Sequence, residues 1–384
     1  MSFDGGVARP APDPGRLPDG HGYGDLVTTI RWGVLAPGRI ARSFAADLAL
    51  VPDAELVATG SRDLARAERF ASEFGGAAYG SYEALVADPS VDVVYVASPH
   101  SLHDAHARLA LEAGKAVLCE KPMTLDGDST AALFEEAAAR GLFLMEAMWS
   151  ACHPTIRKLQ ALLAAGQHGS ARQVHADLGF VVPGASGGGD TTDRLLDPAL
   201  GAGALLDMGI YPLTFAYLLL GEPERLTAVA NLSASGIDLD IAMAGLYQGG
   251  ATAALTASMT SQSPRTASVA TELGRFDLPR GFHHPAGITW TSYEEGDGVS
   301  QQRLEQFGNE KSHVVIPVLA MCRVIGLRRK RTFRSFQVMP SLRKPSLYSV
   351  HGYRNFSVPR PAKAQINEII QNRATTLVSG QPSF

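Results

Sequence analysis

The chain has few cysteines and no long, uninterrupted hydrophobic run. Its 384 residues include three cysteines, Cys119, Cys152 and Cys322. They share no metal-ligand spacing and are too few for a disulfide framework, so we expect a reducing, cytoplasmic setting. No apolar run reaches about 18 residues, and the first residues lack the basic and apolar regions of a signal peptide. We therefore expect neither a membrane-spanning helix nor a leader.

Acidic residues are scarce at the C-terminal end. Residues 301–384 contain 14 Lys and Arg and three acidic residues, which leaves 20 basic and 35 acidic residues in 1–300. We interpret 301–384 as an atypical basic segment that arose by a reading-frame change or a fusion. A tail that binds nucleic acid through "RRKRTFR" is the less favoured alternative, because charge runs are usually solvated. Residues 1–28, rich in Pro, Gly and Asp, are predicted to be a disordered tail.

The rest of the chain predicts two domains with different sheets. Within residues 29–148, short apolar runs such as "IRWGVLA" and "VDVVYVAS" alternate with helical stretches. This alternation indicates an N-terminal Rossmann domain, a doubly wound parallel sheet. Within residues 149–300, consecutive strand-like runs indicate an α+β domain with a mostly antiparallel open sheet. The predicted fold class is therefore α/β, and we expect a homo-oligomer that forms through the open sheet.

A degenerate dinucleotide-binding fingerprint follows the first predicted strand. The fingerprint G-x-G-x-x-G/A aligns with residues 36–41, and Ala36 takes the place of the first glycine. Gly38 would let the backbone approach a pyrophosphate at the N-terminus of the next helix. The candidate cofactor residues at this turn are Gly33, Ala36, Gly38, Arg39 and Ile40.

The end of the second predicted strand bears on the choice of cofactor. NAD enzymes place an acidic residue there to hold the ribose 2′-hydroxyl, whereas this chain has Ser61 and Arg62, with Arg66 one helical turn later. A hydroxyl and two guanidiniums suit the 2′-phosphate of NADP, so we expect NADP to be preferred over NAD. The alternative is that both arginines are merely solvated residues at the start of a helix.

A charged dipeptide ends the predicted strand "AVLCE" without any turn residue. Glu120 and Lys121 lie at a carboxyl end of the parallel sheet, where ligands bind, so both are candidate cofactor residues. Lys121 is expected to point toward the nicotinamide. The segment after the fourth predicted strand adds four candidate cofactor residues, Ser98, Pro99, His100 and His103. We assign no metal to these histidines, nor to the pair His283 and His284, which has no carboxylate cluster nearby.

Two longer segments resemble a known family. "VDVVYVASPHSLHDAHARLALEAGKAVLCEKP" and "GAGALLDMGIYPL" resemble the glucose–fructose oxidoreductase, inositol dehydrogenase and rhizopine catabolism (Gfo/Idh/MocA) family over roughly residues 30–300. "MEAMWS" and "LLDMGIYP" resemble its dimeric dihydrodiol dehydrogenase branch. The resemblance implies that Tyr211 is the general acid/base, that Lys121 and Asp207 support it, and that Trp149 lines the substrate pocket. Leu178 stands where that branch has an aromatic residue.

The residue chemistry agrees with this resemblance. Asp207 and Tyr211 are spaced i, i+4 on one helix face, and an ammonium near a phenol stabilises the phenolate and lowers the phenol pKa. We therefore predict an NAD(P)-dependent oxidoreductase that interconverts a secondary alcohol and a ketone on a sugar, cyclitol or trans-dihydrodiol. The alternatives are an NAD-linked sugar dehydrogenase of the same family and a non-catalytic nucleotide-binding sensor.

Overall fold

The protein is described here by a computed structural model that covers residues 29–186, 193–293 and 299–306. The predicted disordered tail (1–28) and all but the first six residues of the atypical C-terminal segment lie outside the described residues.

The first half forms a six-stranded parallel sheet in the order β3-β2-β1-β4-β5-β6, which confirms the predicted Rossmann architecture. Its elements in chain order are β1 (Ile30–Leu35), α1 (Arg39–Leu48), β2 (Ala54–Gly60), α2 (Leu64–Phe74), β3 (Ala77–Tyr79), α3 (Tyr82–Ala87), β4 (Val93–Val96), α4 (His103–Glu112), β5 (Ala116–Cys119), α5 (Gly127–Ala139) and β6 (Leu144–Glu146).

Apolar residues on both faces of the sheet explain why it is buried. All four residues of β4 are fully inaccessible, as expected for a β-branched run covered by helices on two sides. On one face, Phe44 of α1 stacks on Tyr95 with ring centroids 3.9 Å apart. On the other face, Leu85 and Val94 belong to a separate apolar cluster. Helix α1 is therefore held against the centre of the sheet.

The second half forms an eight-stranded sheet in the order β14-β13-β12-β11-β7-β10-β9-β8. Its elements are α6 (Trp149–Cys152), α7 (Pro154–Ala164), β7 (Ala171–Gly179), α8 (Ile210–Leu220), β8 (Pro223–Leu232), β9 (Asp238–Tyr247), β10 (Thr252–Ser258), β11 (Ala267–Thr271), β12 (Gly274–Leu278), β13 (Gly287–Tyr293) and β14 (Val299–Gln306). Only β7 and β10 pair in parallel, so the sheet is mostly antiparallel as predicted. The domain boundary predicted at residue 300 was wrong in detail, because it falls inside β14, which pairs with β13.

One face of this second sheet is covered, and the other is open. α8 packs against β7 and β10. The stretch Pro198–Leu220 is long and apolar enough to cross a membrane, but 67% of its apolar window is buried inside the protein, where it covers the sheet. Along β10, Ala253, Leu255 and Ala257 are buried on the helix side, whereas Thr252, Ala254 and Thr256 are exposed. This alternation defines the open face.

Candidate active site

Lys121 and Asp207 meet between the two sheets. The Lys121–Pro122 peptide bond is cis. The ammonium Nζ of Lys121 lies 3.2 Å from Oδ1 of Asp207 and 2.9 Å from the main-chain oxygen of the same residue. Their side chains are only 12% and 10% exposed. The structure thus brings together two residues that are 86 positions apart in sequence, as the resemblance implied.

Because this ion pair is buried, the charge of each partner depends on the presence of the other. Burial alone would raise the pKa of Asp207, but the cations of Lys121 and Arg194 hold it well below its usual range. Burial alone would also lower the pKa of Lys121, but the Asp207 carboxylate raises it above its usual range. Both groups are therefore charged at neutral pH, and the ammonium keeps a fixed position.

The phenol of Tyr211 lies against this ammonium. Nζ of Lys121 is 5.0 Å from the centroid of the Tyr211 ring, and the Tyr211 hydroxyl accepts a hydrogen bond of 3.1 Å from Nε1 of Trp149. Burial raises the pKa of Tyr211 to about 12 and outweighs the lowering effect of Lys121. The expectation of a lowered phenol pKa was therefore wrong for the free protein. The phenol is protonated at neutral pH and is ready to donate its proton.

A π-helical turn sets the relation between Asp207 and Tyr211. Asp207 lies in this turn, Leu205–Gly209, and Tyr211 is the second residue of α8. The wider turn carries both side chains toward Lys121. Such turns are rare and often occur at functional sites. The sequence predicted a helix here but gave no sign of the π-helical turn.

Glu120 faces inward. Its Oε1 accepts a 2.5 Å hydrogen bond from the Tyr95 hydroxyl, and its Oε2 accepts one of 3.2 Å from the main-chain nitrogen of Lys121. Burial raises the pKa of Glu120 against the opposing effect of Lys121. One carboxylate oxygen therefore holds the main chain at Lys121, and the other is fixed by Tyr95 of β4. A contact of Glu120 with the cofactor stays a prediction.

Two basic side chains complete the surroundings of Asp207. His100 is bound through Nδ1 to the Gly201 carbonyl at 3.0 Å, and its Nε2 lies 3.6 Å from Oδ1 of Asp207. Burial lowers the pKa of His100 to about 3, so this ring is neutral. Arg194 donates to the same Oδ1 at 3.3 Å. Sequence reasoning assigned His100 to the cofactor and missed Arg194, because no local spacing connects either residue to Asp207.

The geometry of His103 corrects its assignment as a cofactor residue. Its two ring nitrogens lie 2.7 Å from the carbonyl of Pro122 and 2.8 Å from that of Ser98. The side chain is completely buried. Neither nitrogen is left for a ligand, so His103 instead links the segment after β4 to the cis turn that carries Lys121.

Trp149 and a pair of histidines form a wall beside Tyr211. The ring centroids of Trp149 and Tyr211 are 5.5 Å apart, and His283 lies 5.1 Å from Tyr211 and 5.5 Å from Trp149. His284 lies 4.5 Å from His283. Sequence reasoning considered these histidines only as metal ligands and missed their position at the site. Their loop between β12 and β13 is far from Tyr211 in sequence and has no motif.

The leucine that stands where the resembling branch has an aromatic residue is buried. Leu178 belongs to the apolar core of the second sheet, where it is 4% exposed. Phe180, two residues later, has the guanidinium of Arg265 5.4 Å from its ring centroid.

The dinucleotide turn has the features that a pyrophosphate requires. α1 begins after Gly38, and no side chain caps its first main-chain N–H groups. Arg39 and Ile40 open the helix and are exposed. A Cβ on Gly38 would approach no atom closer than 4.0 Å, so the space before the helix is open. Ala36, at the place of the fingerprint's first glycine, has a φ of 69°, a left-handed conformation that glycine adopts readily.

Gly33 was wrongly assigned to the cofactor. It lies inside β1, and a Cβ there would come within 3.0 Å of Val91 and 3.2 Å of Leu85. The glycine allows α3 and the chain before β4 to pack closely on the strand, and it does not lie at the turn.

The predicted 2′-phosphate residues lie beside the fingerprint turn. The main-chain nitrogen of Ala36 donates to the Gly60 carbonyl at 3.1 Å, which joins the ends of β1 and β2. Ser61 follows and is buried, and its hydroxyl accepts from the main-chain nitrogen of Asp63. Arg62 and Arg66 are exposed at the start of α2. Their contact with a cofactor stays a prediction.

The segment after β4 places Ser98 and Pro99 at the neighbouring strand end. The Ser98 hydroxyl is 2.9 Å from Nδ1 of His106, and Pro99 precedes a short 3₁₀ turn, His100–Leu102. Within the part of the chain that the structure describes, no group of three or more His, Cys, Asp or Glu residues comes together as a metal site.

Comparison with known proteins assigns the family. Residues 30–148 match the Gfo/Idh/MocA oxidoreductase family with an NAD-binding Rossmann fold, and residues 156–277 match the Gfo/Idh/MocA C-terminal domain. A trans-1,2-dihydrobenzene-1,2-diol dehydrogenase from Sus scrofa is 40% identical over 245 residues, which cover 62% of this chain and 71% of that protein. A D-xylose 1-dehydrogenase (NADP(+)) from Hypocrea jecorina is 40% identical over 56% of this chain and 61% of that protein.

Solved structures agree with these relatives. A 3-ketoreductase from Actinomadura kijaniata in complex with NADP and TDP-benzene aligns with a TM-score of 0.69 and 31% identity, over 79% of this chain and 92% of that chain. An NAD binding oxidoreductase from Klebsiella pneumoniae aligns with a TM-score of 0.72 at 20% identity, over 90% of this chain and 98% of that chain, and shows the fold alone. Because both family regions are present in order and a dehydrogenase is matched over most of its length, this chain belongs to the Gfo/Idh/MocA family and is an NAD(P)-dependent oxidoreductase.

Proposed function

We propose that this oxidoreductase prefers NADPH and interconverts a secondary alcohol and a ketone on a sugar, cyclitol or trans-dihydrodiol. One observation carries the proposal. A buried ammonium, fixed by Asp207, lies 5.0 Å from the ring of a protonated Tyr211, at the carboxyl end of a Rossmann strand. That is the edge of the sheet where such folds bind dinucleotides.

The residues at the sheet edge fit a dinucleotide. The uncapped N-terminus of α1 offers main-chain N–H groups and the positive end of the helix dipole, which suit a pyrophosphate. Gly38, Arg39 and Ile40 would hold the pyrophosphate at that end. Ser98 and Lys121 lie at the next strand ends, where the nicotinamide would be held. When bound, NADPH supplies the hydride that reduces a carbonyl carbon.

Arg62 and Arg66 support the preference for NADPH. Both guanidiniums are exposed one helical turn apart at the end of β2, and the position after the strand has no acidic residue to hold a 2′-hydroxyl. The matched xylose dehydrogenase is named for NADP(+), and the matched ketoreductase was solved with NADP. The NAD-linked alternative is tested by Arg62→Ala, which we expect to weaken NADPH binding and to leave NADH binding unchanged.

Tyr211, supported by Lys121 and Asp207, then transfers the proton. In reduction, the Tyr211 hydroxyl donates its proton to the carbonyl oxygen as the carbon becomes an alcohol. The ammonium of Lys121 stabilises the phenolate that remains, because opposite charges lie close together in a buried site. Asp207 keeps that ammonium charged and in place. In oxidation the same phenolate removes the proton of the alcohol.

The wall beside Tyr211 supports a ring-shaped substrate with hydroxyl groups. Trp149 offers an apolar ring face, and the half-buried imidazole of His283 adds a polar ring beside it. The named substrates of the matched relatives, a dihydrobenzene diol and D-xylose, share this combination of a small ring and adjacent hydroxyls.

The experiment is a fluorescence titration with NADPH and with NADH, followed by turnover on a panel of ketoses, inososes and trans-dihydrodiols. We expect tighter binding of NADPH and turnover of at least one ring compound. Binding without any turnover would favour the alternative of a nucleotide-binding sensor, and the absence of binding would contradict the whole proposal.

We also propose a homo-oligomer through the open face of the second sheet. This face carries a groove of about 790 Å³ lined by small residues and by charges of both signs, among them Asp177, Arg275, Asp277 and Arg303. A two-fold arrangement would bring opposite charges together across the contact. A cytoplasmic location is proposed as well, and the two described cysteines, Cys119 and Cys152, are buried thiols outside any disulfide, which suits a reducing compartment.

A further inference from the structure

The helical segment that carries Asp207 starts without a capping side chain of its own. The residue before the π-helical turn is Ala204, whose methyl group cannot accept a hydrogen bond. The first N–H groups of a helix have no acceptor within the helix and need one from elsewhere. Here the main-chain nitrogen of Leu205 donates to Oδ2 of Asp238 at 2.6 Å. The acceptor comes from the start of β9, 33 residues later in the chain.

The carboxylate of Asp238 can approach this segment only because residue 203 is a glycine. Gly203 has a φ of 128°, and a Cβ at that position would lie 2.1 Å from Oδ1 of Asp238. Any other residue would therefore displace the carboxylate. Asp238 is only 7% exposed. Burial raises its pKa to about 6, against the lowering effect of the Leu205 hydrogen bond, so the protein tolerates a costly buried carboxyl group at this place.

The same segment is held from the opposite side by the Rossmann domain. The Gly201 carbonyl is bound by His100 at 3.0 Å, and the Asp207 carbonyl is bound by Lys121 at 2.9 Å. The segment 201–207 therefore lies between two sets of contacts. Asp238 is the contact on the side of the antiparallel sheet. It binds Leu205, which is two residues before Asp207.

We propose that Asp238 is a positioning residue for the reaction. It fixes the start of the π-helical turn to β9, and it thereby sets where Asp207 and Tyr211 meet Lys121. Asp238 touches neither Lys121 nor Tyr211, and it acts only through the main chain of Leu205. This inference rests on the proposed function, in which Asp207 and Tyr211 support proton transfer.

The test compares three variants of the full chain. Asp238→Leu keeps the side-chain size and removes the acceptor, whereas Asp238→Asn keeps an oxygen that can accept from Leu205. Ile241→Ala, a buried apolar residue on the same strand, is the matched control for general destabilisation. We measure kcat, the Kd for NADPH, the thermal midpoint, and hydrogen exchange of residues 203–209.

For Asp238→Leu we expect kcat to fall about 10²-fold, because a displaced catalytic group loses its alignment. Its NADPH affinity stays within about twofold, since the dinucleotide turn is remote, and amide exchange in 203–209 accelerates about tenfold when the hydrogen bond is lost. Asp238→Asn recovers most of the kcat. Ile241→Ala lowers the thermal midpoint while kcat remains close to that of the wild type.

Three results would overturn the inference: unchanged kcat in Asp238→Leu, equal losses of kcat in the Leu and Asn variants, or an equal loss in Ile241→Ala. If the wild type turns over no compound of the panel, the proposed function fails instead. In that case the exchange rates of 203–209 still decide whether Asp238 holds the turn.

Discussion

At the scale of single residues, the protonation of Tyr211 depends on two opposing effects, burial and the nearby ammonium of Lys121. Burial raises the pKa of Tyr211 to about 12 although Lys121 lies beside its ring. The free protein therefore holds a neutral phenol, which is the form that reduction consumes. Oxidation of an alcohol needs the phenolate, which is scarce at neutral pH. The rates of ketone reduction and alcohol oxidation must therefore respond differently to pH.

We predict that kcat/KM for alcohol oxidation rises about tenfold per pH unit from about pH 7 to pH 10, because the phenolate fraction grows at that rate below the phenol pKa. Over the same range kcat/KM for ketone reduction stays nearly constant, since the phenol remains protonated. Initial rates in both directions, at saturating cofactor, measure this. A plateau of the oxidation rate below about pH 8 would mean that another group is the base.

Replacing the ammonium tests its role directly. We predict that Lys121→Met lowers kcat about 10²- to 10³-fold, the range expected when proton transfer loses its support. NADPH binding should change little, because the proposed pyrophosphate site lies at the start of α1 and not at Lys121. Lys158→Met, an exposed lysine on α7, serves as the control and should retain full activity. A Lys121→Met enzyme with near-normal kcat would remove the ammonium from the mechanism.

At the scale of elements, the turn between β1 and α1 contains an alanine in a backbone conformation that favours glycine. Ala36 adopts a φ of 69° where the fingerprint normally has glycine. A left-handed conformation costs a residue with a Cβ about 1–2 kcal/mol, whereas glycine gains about 0.5–1 kcal/mol of extra freedom in the unfolded chain. The first effect is the larger, so this position is strained in the native sequence.

We therefore predict that Ala36→Gly stabilises the protein by up to about 1 kcal/mol in urea unfolding. The matched control is Ala46→Gly, at an exposed position inside α1, which should destabilise by about 1 kcal/mol because glycine weakens a helix interior. Equal destabilisation by both substitutions would show that Ala36 is not strained.

The elements themselves were largely predictable, and the reasons are local. β4 is a run of β-branched and aromatic residues, and α2 ends at Gly75, which has a φ of 88°. The signals for these features lie within a few neighbouring residues. The π-helical turn left no such signal, because its geometry depends on Asp238 and Lys121, which are distant in sequence.

The site residues also divide into those with a local sequence signal and those that only the fold brings together. Lys121, Asp207 and Tyr211 could be named because each lies in a motif. Arg194 and His283 could not, because only the folded chain brings their loops to Asp207 and Tyr211. Gly33 and His103 were misassigned since proximity to a motif in sequence was taken for proximity to the cofactor, whereas both serve packing.

At the scale of the whole molecule, the open face of the second sheet predicts association of two copies. Thr256 is exposed near the groove on this face. We predict that Thr256→Arg yields a monomer by light scattering, because two like charges would meet across a two-fold contact. Ser72→Arg, at an exposed position on α2, is the control and should leave the oligomer intact. A monomeric wild type would contradict the proposed association.

The central claim is that Tyr211, supported by Lys121, protonates a carbonyl during NADPH-dependent reduction. The most direct measurement is the single-turnover rate of NADPH oxidation by the full chain with an active ketone from the panel, for the wild type and for Tyr211→Phe. We predict that Tyr211→Phe binds NADPH normally and reacts about 10²- to 10⁴-fold more slowly, as expected for the loss of a general acid. A Tyr211→Phe rate equal to that of the wild type would contradict the account.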